Sequence, residues 1–212
     1  FQKKLSTLTF LDPACGSGNF LTETYLSLRR LENEILQELQ GGQMVLGYDN
    51  MNPIQVSISQ FYGIEINDFA VTVAKTALWI AESQMMKETE SIVLMHLDFL
   101  PLKTNAFIHE GNALQVDWES VIPKYQLSYI MGNPPFVARA GRTKAKDSSS
   151  KGMLDDTQKT DRLNVFGEDL GNVDYVACWF KKAAVFTKNT AIRCAFVATD
   201  SICQGQQIYP IW

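Results

Sequence analysis

The chain has 212 residues, of which 46% are hydrophobic and 20% are charged. This profile is typical of one globular unit with a substantial core, and it excludes a disordered or repeat protein. The formal net charge of -4 also argues against a domain that contacts nucleic-acid phosphates over much of its surface.

The first predicted element is a buried strand at residues 8–11, which stops at Asp12 and Pro13 because proline cannot pair inside a sheet. After Gly16-Ser17-Gly18, apolar residues recur about every 3.6 positions, which predicts an amphipathic helix. These apolar residues are Leu21, Tyr25, Leu28, Ile35 and Leu39, and Gly41-Gly42 end the helix. A strand, a glycine loop and a helix form the first half of a βαβ unit.

The same alternation continues along the chain. Residues 61–66 predict a second buried strand, followed by a helix that begins at Asn67 or Asp68. The apolar residues on one face of that helix are Phe69, Val73, Ala77 and Ile80. Further strands are predicted at 106–109, 127–131 and 195–199, and a helix at 176–187. Because parallel strands need crossover connections, the pattern predicts an α/β fold with a doubly wound, mainly parallel sheet.

Residues 138–162 break this pattern, because they include almost no apolar residues and have no period. A long mobile loop is expected there. From Val137 to Arg162 the chain carries seven basic residues against four acids: Arg139, Arg142, Lys144, Lys146, Lys151, Lys159 and Arg162 against Asp147, Asp155, Asp156 and Asp161. Such a loop is either functional or merely disordered, and a function is favoured because it leaves the sheet beside a candidate site.

A soluble, cytoplasmic protein is expected, because no apolar run reaches the roughly 18–20 residues that span a bilayer and the first residues lack a signal-peptide layout. The four cysteines form no CxxC pair: Cys15, Cys178, Cys194 and Cys203. Buried, reduced thiols are expected rather than a metal site or disulfides. Since the chain lacks an initiator methionine and a final helix stop signal, it is expected to be a fragment, incomplete at both ends.

In an open parallel sheet, ligands bind at the carboxyl ends of the strands. The segment DPACGSGNF, residues 12–20 and called here the glycine loop, follows the first strand. Its glycines permit tight turning, and the next helix N-terminus favours an anionic group. It lacks both the GxGxxG spacing and the lysine of a P-loop. A ligand with a carboxylate, no phosphate and a cation near Asp12 suits the segment, and S-adenosylmethionine has this layout.

Polar residues also follow the next two strands. Glu65 ends the second strand and is the acid expected to hold ribose hydroxyls, although its separation from the glycines exceeds the usual distance of roughly 20 residues. A surface acid is the alternative. Asn112 follows the third strand and offers an amide to an adenine edge, with Ala113 and Leu114 available for packing.

The stretch YIMGNPPFVAR ends the fourth strand on an amide, two prolines and an aromatic ring. The amine of an aromatic base is a poor nucleophile, because its lone pair is delocalised. Acceptors at the Asn133 side chain and the Pro134 carbonyl would draw that nitrogen toward tetrahedral geometry. Phe136 would stack on a base drawn out of the helix. The alternative is a strand ended by proline and followed by a packed phenylalanine.

The ordered motifs DPACGSGNF, GIEIND, EGNAL and MGNPPF resemble the gamma class of amino-group DNA methyltransferases. The runs LGNVDYVACWFKKAA and FVATDSICQGQQ are similar, more narrowly, to the methyltransferase core of MmeI-like restriction-modification enzymes of types IIG and IIL. The resemblance covers residues 9–212. It implies the Rossmann-like fold of class I S-adenosylmethionine-dependent methyltransferases, one catalytic domain over residues 1–212, and N6 methylation of a flipped adenine in double-stranded DNA.

The resemblance also implies roles for individual residues. Cofactor contacts are expected at Asp12, Pro13, Ala14, Cys15, Gly16, Phe20, Glu65, Ile66, Asn112 and Ala113, and catalysis at Asn133, Pro134, Pro135 and Phe136. No metal is expected. The strand start QLSYIMG lacks an acid that the family often has there, and no nuclease or target-recognition motif is present. Sequence specificity is therefore expected from a domain outside this chain.

Two alternatives stay open at this point. An RNA base or a protein glutamine amide is methylated by relatives that also use NPP followed by an aromatic residue, although their cofactor segments usually differ from DPACGSGNF. A non-catalytic module of methyltransferase type is the alternative from another functional class, but the intact NPPF set argues against degeneration.

Overall fold

A computed structural model describes residues 1–40, 53–94, 96–97, 105–137, 154–167, 173–205 and 208–211. Within these residues, five parallel strands form one sheet in the order β3-β2-β1-β4-β5. The strands are β1 (Phe10–Asp12), β2 (Phe61–Glu65), β3 (Phe107–Glu110), β4 (Tyr129–Gly132) and β5 (Arg193–Phe196). This arrangement confirms the predicted α/β fold with a doubly wound parallel sheet.

Helices cover both faces of the sheet. They are α1 (Gln2–Leu5), α2 (Asn19–Gln40), α3 (Asp68–Val93), α4 (Trp118–Val121), α5 (Asp156–Phe166), α6 (Ala177–Thr187) and α7 (Ile208–Ile211). Because side chains alternate along a strand, Phe10 packs into a core with α2 and α3 whereas Leu11 packs into a second core with α4, α5 and α6. In the first core, Phe10 stacks between Phe61 and Tyr129, with ring centroids 5.2 and 5.3 Å away.

The strand order places the point of reversal beside β1. The chain runs outward from β1 to β2 and β3, and then returns to add β4 and β5 on the other side of β1. In such sheets a crevice forms where neighbouring connections leave in opposite directions, at the carboxyl ends of the strands. The glycine loop after β1 and the NPPF motif (residues 133–136) after β4 both lie at this crevice.

A buried ionic network joins α2 to α3. Arg29 Nε lies 3.1 Å from Glu32 Oε2, and its guanidinium donates to Thr89 Oγ1 on α3 at 2.6 Å. Glu32 also accepts hydrogen bonds from the backbone nitrogens of Gln55 and Val56, at 2.7 and 3.2 Å. Both charged side chains are almost fully buried, so this network ties the segment before β2 to the two long helices.

Two predicted details are wrong. The apolar face of α3 that carries Phe69 and Ile80 is exposed, with 74% and 53% of these residues accessible. The buried face instead carries Val71, Ala74, Leu78, Ala81 and Met85. The last strand was expected at residues 195–199, but β5 pairs two residues earlier, at Arg193–Phe196, because its partner β4 ends at Gly132.

The loop expected at residues 138–162 is wrong only in its last part, from Asp156 onward. Residues 138–153, with most of the basic residues, lie outside the described residues, as do Gly41 and Gly42. From Asp156 onward the chain is helical in α5. Asp155 begins this helix through a capping box, in which its side chain accepts from Gln158 N at 2.7 Å and Gln158 Oε1 accepts from Asp155 N at 3.1 Å.

The cysteines only partly match their prediction. Cys15 and Cys178 are buried, but Cys194 and Cys203 are exposed, because they belong to the edge strand β5 and to the turn that follows it. In the described part of the chain, no group of three His, Cys, Asp or Glu side chains has the geometry to hold a metal ion. None of the helices there combines the length and the apolar character needed to cross a membrane.

Candidate active site

A cleft of about 450 Å³ opens at the carboxyl ends of the strands. The sequence-predicted residues that line it are Pro13, Ala14, Glu65, Ile66, Asn112, Ala113, Asn133 and Pro135. They follow or end four different strands, so the fold gathers residues separated by up to about 120 positions in the sequence. The remaining lining residues, which sequence reasoning did not identify, are Ile64, Gly111, Asp155, Thr157, Gln158, Asp161, Tyr175 and Trp179.

The other predicted site residues surround the cleft without lining it. Asp12, Cys15 and Pro134 are buried, Gly16 is half-buried, and Phe20 and Phe136 are exposed. Phe136 has 43% of its surface accessible, which leaves its ring free to contact a planar partner. The structure thus separates the predicted set into residues that face the cleft and residues that support it or stand at its edge.

The glycine loop is held by backbone contacts to β2. Cys15 N donates to Ile64 O at 3.1 Å, and Gly16 N donates to Glu65 Oε2 at 2.9 Å. Gly18 has a φ of 82°, and a Cβ added there would lie 3.0 Å from the Cβ of Ala74 on α3. A larger residue at Gly18 would therefore meet both backbone strain and the neighbouring helix.

Asp12 is buried beneath the cleft at the end of β1. Its Oδ1 accepts a hydrogen bond of 3.0 Å from Ala14 N. Burial raises the pKa of this carboxyl to about 7; the bond from Ala14 opposes the rise, and the charge of Glu65 adds to it. A buried carboxyl with this pKa changes its charge near neutral pH, and a cation in the cleft would favour the ionised form.

Glu65 uses both carboxylate oxygens to organise its surroundings. Oε2 accepts from Gly16 N, and Oε1 accepts from Asn67 N at 3.0 Å. Each oxygen has a further lone pair, because a carboxylate accepts about four hydrogen bonds. Since Glu65 lines the cleft, it can accept hydrogen bonds from two hydroxyl groups there while it stays fixed.

The segment after β3, residues 111–116 and called here the β3 loop, is held by α5 and α6. Asn112 Nδ2 donates to Asp161 Oδ2 at 2.8 Å. Lys182 Nζ donates to the carbonyls of Ala113, Leu114 and Val116 at 2.8, 3.0 and 2.6 Å. These contacts fix the position at which Asn112 meets the cleft.

The glycine loop is tied to α6 in a similar way. Trp179 Nε1 donates to Pro13 O at 3.1 Å, and its ring packs edge-on against Tyr175. Both aromatic side chains line the cleft. Their run DYVACW was noticed in the sequence only as part of a family resemblance, because neither spacing nor residue type reveals a contact across 166 positions.

The NPPF motif continues directly from β4. Gly132, just before it, has a φ of 156°, and a Cβ added there would overlap the carboxylate of Asp12. Gly132 O accepts from Val197 N at 2.9 Å, which holds the end of β4 against β5. Asn133 is exposed and faces the cleft, whereas the next residue, Pro134, is buried. The amide of Asn133 therefore stands at the entrance, on a backbone anchored from both sides.

Among the residues that the structure describes, negative groups dominate this region. The carboxylates of Glu65, Asp155 and Asp161 line the cleft, and Asp12 lies below it. The ammonium of Lys182 is directed at the carbonyls of the β3 loop instead. A ligand with cationic groups and hydroxyls fits this charge distribution better than a phosphorylated one.

Comparisons with known proteins agree with these features. The family described as "MmeI, DNA-methyltransferase domain" matches residues 1–212. The DNA methyltransferase A of Bacillus subtilis (strain 168) is 39% identical over 214 residues, which cover 99% of this chain and 22% of that protein. The adenine-specific methyltransferase PglX of Streptomyces coelicolor is 32% identical over 74 residues, which cover 35% of this chain and 5% of that protein.

A solved structure matches the entire chain. The type IIL restriction-modification enzyme MmeI, in complex with DNA, superposes with a TM-score of 0.85 at 43% identity. The match covers 100% of this chain and 27% of that chain. The 212 residues thus span about a quarter or less of the relatives that they match.

Proposed function

Since the chain belongs to the MmeI DNA-methyltransferase domain family, we propose that it is the catalytic core of a site-specific adenine N6 DNA methyltransferase. The proposed methyl donor is S-adenosylmethionine. The observation that carries the proposal is the contact of Gly132 with Asp12, since it joins the end of the glycine loop's strand to the start of the NPPF motif. A methyl donor and an amine acceptor held by these two segments would be neighbours.

The residues of the cleft fit the proposed cofactor. Its volume of about 450 Å³ lies in the range of sites for small molecules, roughly 300–1,000 Å³. Glu65 offers acceptors for ribose hydroxyls, Asn112 offers an amide for an adenine edge, and Asp12 offers a carboxylate near a cationic group. When bound, S-adenosylmethionine supplies a methyl group that is already activated by its sulfonium.

The NPPF motif fits an amine acceptor. The Asn133 side-chain oxygen and the Pro134 carbonyl would accept hydrogen bonds from the two hydrogens of the amine, which makes its lone pair available for attack. No strong base is required, because the nitrogen loses a proton after it has gained the methyl group. Burial raises the pKa of the Cys15 thiol far above its ordinary range, so this cysteine supplies no thiolate nucleophile. Transfer to an amine is therefore favoured over a route through a covalent cysteine adduct.

The proposed substrate is adenine in double-stranded DNA, extruded so that its amine reaches Asn133. Two comparisons support it: the relative PglX is named as adenine-specific, and MmeI was solved in complex with DNA. The DNA sequence is proposed to be recognised by other parts of a longer restriction-modification protein, because the chain spans 22% of the Bacillus subtilis DNA methyltransferase A and 27% of MmeI. A cytoplasmic location is proposed with this substrate.

Methyl transfer from a labelled cofactor tests the proposal in the full-length protein that contains this chain. Unmodified DNA, RNA and a glutamine-containing protein would be offered in parallel. Label is expected in the N6 position of adenine in DNA. Replacement of Asn133 by Ala should lower the rate about 100-fold, the usual effect of one removed hydrogen-bonding group at the reacting atoms.

Asn105→Ala is the matched control, because this exposed asparagine precedes β3 and lies at the opposite end of the sheet. It should retain full activity. Label that appears in RNA or protein but not in DNA would contradict the proposed substrate. An Asn133→Ala variant with full activity would contradict the proposed role of the amide.

A further inference from the structure

Asp161 on α5 is a buried carboxylate beside the cleft, and it has only 1% of its surface exposed. From described residues it accepts side-chain hydrogen bonds of Asn112 Nδ2 at 2.8 Å, Gln115 Nε2 at 2.9 Å and the Tyr175 hydroxyl at 3.0 Å. An ionised carboxylate accepts hydrogen bonds and donates none. The nitrogen of the Asn112 amide, and not its oxygen, must therefore face Asp161.

The oxygen of the same Asn112 amide contacts a hydrogen-bond donor instead of an acceptor. Asn112 Oδ1 accepts a hydrogen bond of 2.9 Å from Leu114 N, and a backbone N–H can only donate. A reversed amide would bring its oxygen against the Asp161 carboxylate and its NH₂ against the N–H of Leu114. Both contacts would be repulsive, so the two partners together fix the polarity of the Asn112 amide.

The fixed amide still has groups to offer. Nδ2 keeps one further N–H, and Oδ1 keeps one further lone pair. Asn112 lines the cleft, so a nucleobase there would meet one donor and one acceptor in a set order. A 6-aminopurine donates from its amine and accepts at N1, whereas a 6-oxopurine accepts at O6 and donates from N1. A free amide could rotate to serve either base, but a locked amide serves only one.

We propose that Asp161 is a specificity-determining positioning residue, which locks Asn112 so that the cleft selects a 6-aminopurine cofactor over its 6-oxopurine analogue. This inference rests on the proposed cofactor, whose base is adenine and whose ribose would be held by Glu65 in one orientation. Asp161 does not itself contact the base. Its effect is carried by the direction of the Asn112 hydrogen bonds, which differs from a general contribution to folding.

Binding of S-adenosylhomocysteine and S-inosylhomocysteine to the full-length protein, measured by calorimetry, tests the inference. The unmodified protein should prefer the adenosyl compound by at least about tenfold, because a mismatched base leaves buried polar groups unpaired. In Asp161→Asn, an amide that can present either end to Asn112 replaces the carboxylate, and the preference should fall to less than about threefold. Asp156→Asn is the control, since this exposed acid of the same helix pairs with Lys159; the preference should be unchanged.

An exchange of the two side chains gives a second test. Asn112→Asp would set two carboxylates about 2.8 Å apart and should abolish adenosyl binding. Adding Asp161→Asn restores a donor opposite an acceptor and should recover at least about tenfold of the lost affinity, the equivalent of one hydrogen bond. If Asp161→Asn does not fold alone, this exchange decides: failure to recover affinity overturns the inference.

The remaining outcomes separate this inference from the proposed function. Equal binding of both compounds by the unmodified protein overturns the role of Asp161 and leaves the cofactor assignment standing. If the Asp161→Asn variant keeps the preference for the adenosyl compound, the role of Asp161 is likewise overturned and the cofactor assignment stands. No binding of S-adenosylhomocysteine at all contradicts the proposed function, and the inference fails with it.

Discussion

Gly132 lies directly against Asp12, because a Cβ added to Gly132 would overlap the Asp12 carboxylate. The two residues end neighbouring parallel strands, β4 and β1, at the point where the strand order reverses. The absence of a side chain at Gly132 lets the NPPF motif start beside the glycine loop. The distance between the proposed methyl donor and its acceptor therefore depends on position 132, where there is no room for the Cβ of a larger residue.

Replacing Gly132 by Ala should lower both cofactor affinity and activity. The φ of 156° adds roughly 1–3 kcal/mol of backbone strain, and the overlap with Asp12 must displace one of the two strand ends. Gly167→Ala is the control, since Gly167 also has a positive φ of 56° but no other atom within 4 Å of an added Cβ. Binding of S-adenosylhomocysteine would be compared in both variants, and an equal loss would contradict the steric explanation.

The pH dependence should reveal the buried carboxyl of Asp12, whose pKa burial raises from 3.8 to about 7. Between these values the folded protein binds a proton that the unfolded chain has released, so stability falls as pH rises and levels off above about 7. The decrease is at most roughly 4 kcal/mol, at about 1.4 kcal/mol per pH unit. Pulse proteolysis in urea from about pH 4 to about pH 8 measures it.

Cofactor affinity should change in the opposite direction over part of this range. A ligand ammonium group beside Asp12, which S-adenosylhomocysteine retains, favours the ionised form of Asp12, so binding should strengthen as pH rises from about 6 to about 8. In Asp12→Asn the contribution of this carboxyl to both pH dependences should disappear, since an amide does not titrate here. Calorimetry with S-adenosylhomocysteine checks this, and a variant that keeps the pH profile of the unmodified protein would exclude Asp12 as its source.

Glu65→Gln should weaken cofactor binding by roughly tenfold to hundredfold, since hydrogen bonds to a charged group contribute about 1.5–3 kcal/mol. Both carboxylate oxygens accept from backbone N–H groups, those of Gly16 and Asn67. A glutamine must set its NH₂ against one of these donors. Glu110→Gln is the control, because Glu110 is the exposed register partner of Glu65 on β3 and lies outside the cleft lining. Equal affinities of the two variants would count against the ribose contact.

The sequence predicted the strands because apolar, β-prone runs ended at prolines, glycines or polar residues. Its error at β5 has a physical cause, since pairing stops at the Gly132–Phe196 pair although the apolar run continues to Ala198. The buried face of α3 was also not predictable. That helix carries apolar residues on two faces, and its small residues Ala74 and Ala81, rather than the large Phe69, lie in the core.

Most of the predicted site residues follow strands, whereas the missed ones are mainly on α5 and α6 or directly before these helices. Asp161 contacts Asn112 across 49 positions, and single-sequence spacing carries no information about such contacts. One local signal was available: Asp155 and Gln158 have the spacing of a capping box, which predicts a helix start within the expected loop. The low hydrophobicity of residues 138–162 nevertheless indicated a loop. A helix that is held by polar contacts beside a cleft, however, needs few apolar residues.

The buried pair of Arg29 and Glu32 should have a large effect on stability. Arg29→Met would leave the Glu32 carboxylate buried without its cation, which typically costs about 3–5 kcal/mol. Arg30→Met is the adjacent control, since its pair with Glu23 is solvent-exposed and should contribute less than about 1 kcal/mol. Hydrogen exchange of α2 and α3 amides in the full-length protein measures both changes locally. Similar protection in the two variants would contradict the predicted difference.

Replacement of Phe136 should weaken the interaction with DNA and leave the fold unchanged. With 43% of its surface accessible, its ring is available to stack on an extruded base, a contact that contributes about 1–3 kcal/mol per base. Phe136→Ala should therefore lower methylation by roughly tenfold to hundredfold and reduce the fluorescence change of 2-aminopurine at the target position, while S-adenosylhomocysteine binding stays the same. Tyr125→Ala is the control, because this tyrosine is 84% exposed and precedes β4, at the other end of the sheet. A loss of cofactor binding in Phe136→Ala would instead assign the ring to the cofactor side of the site.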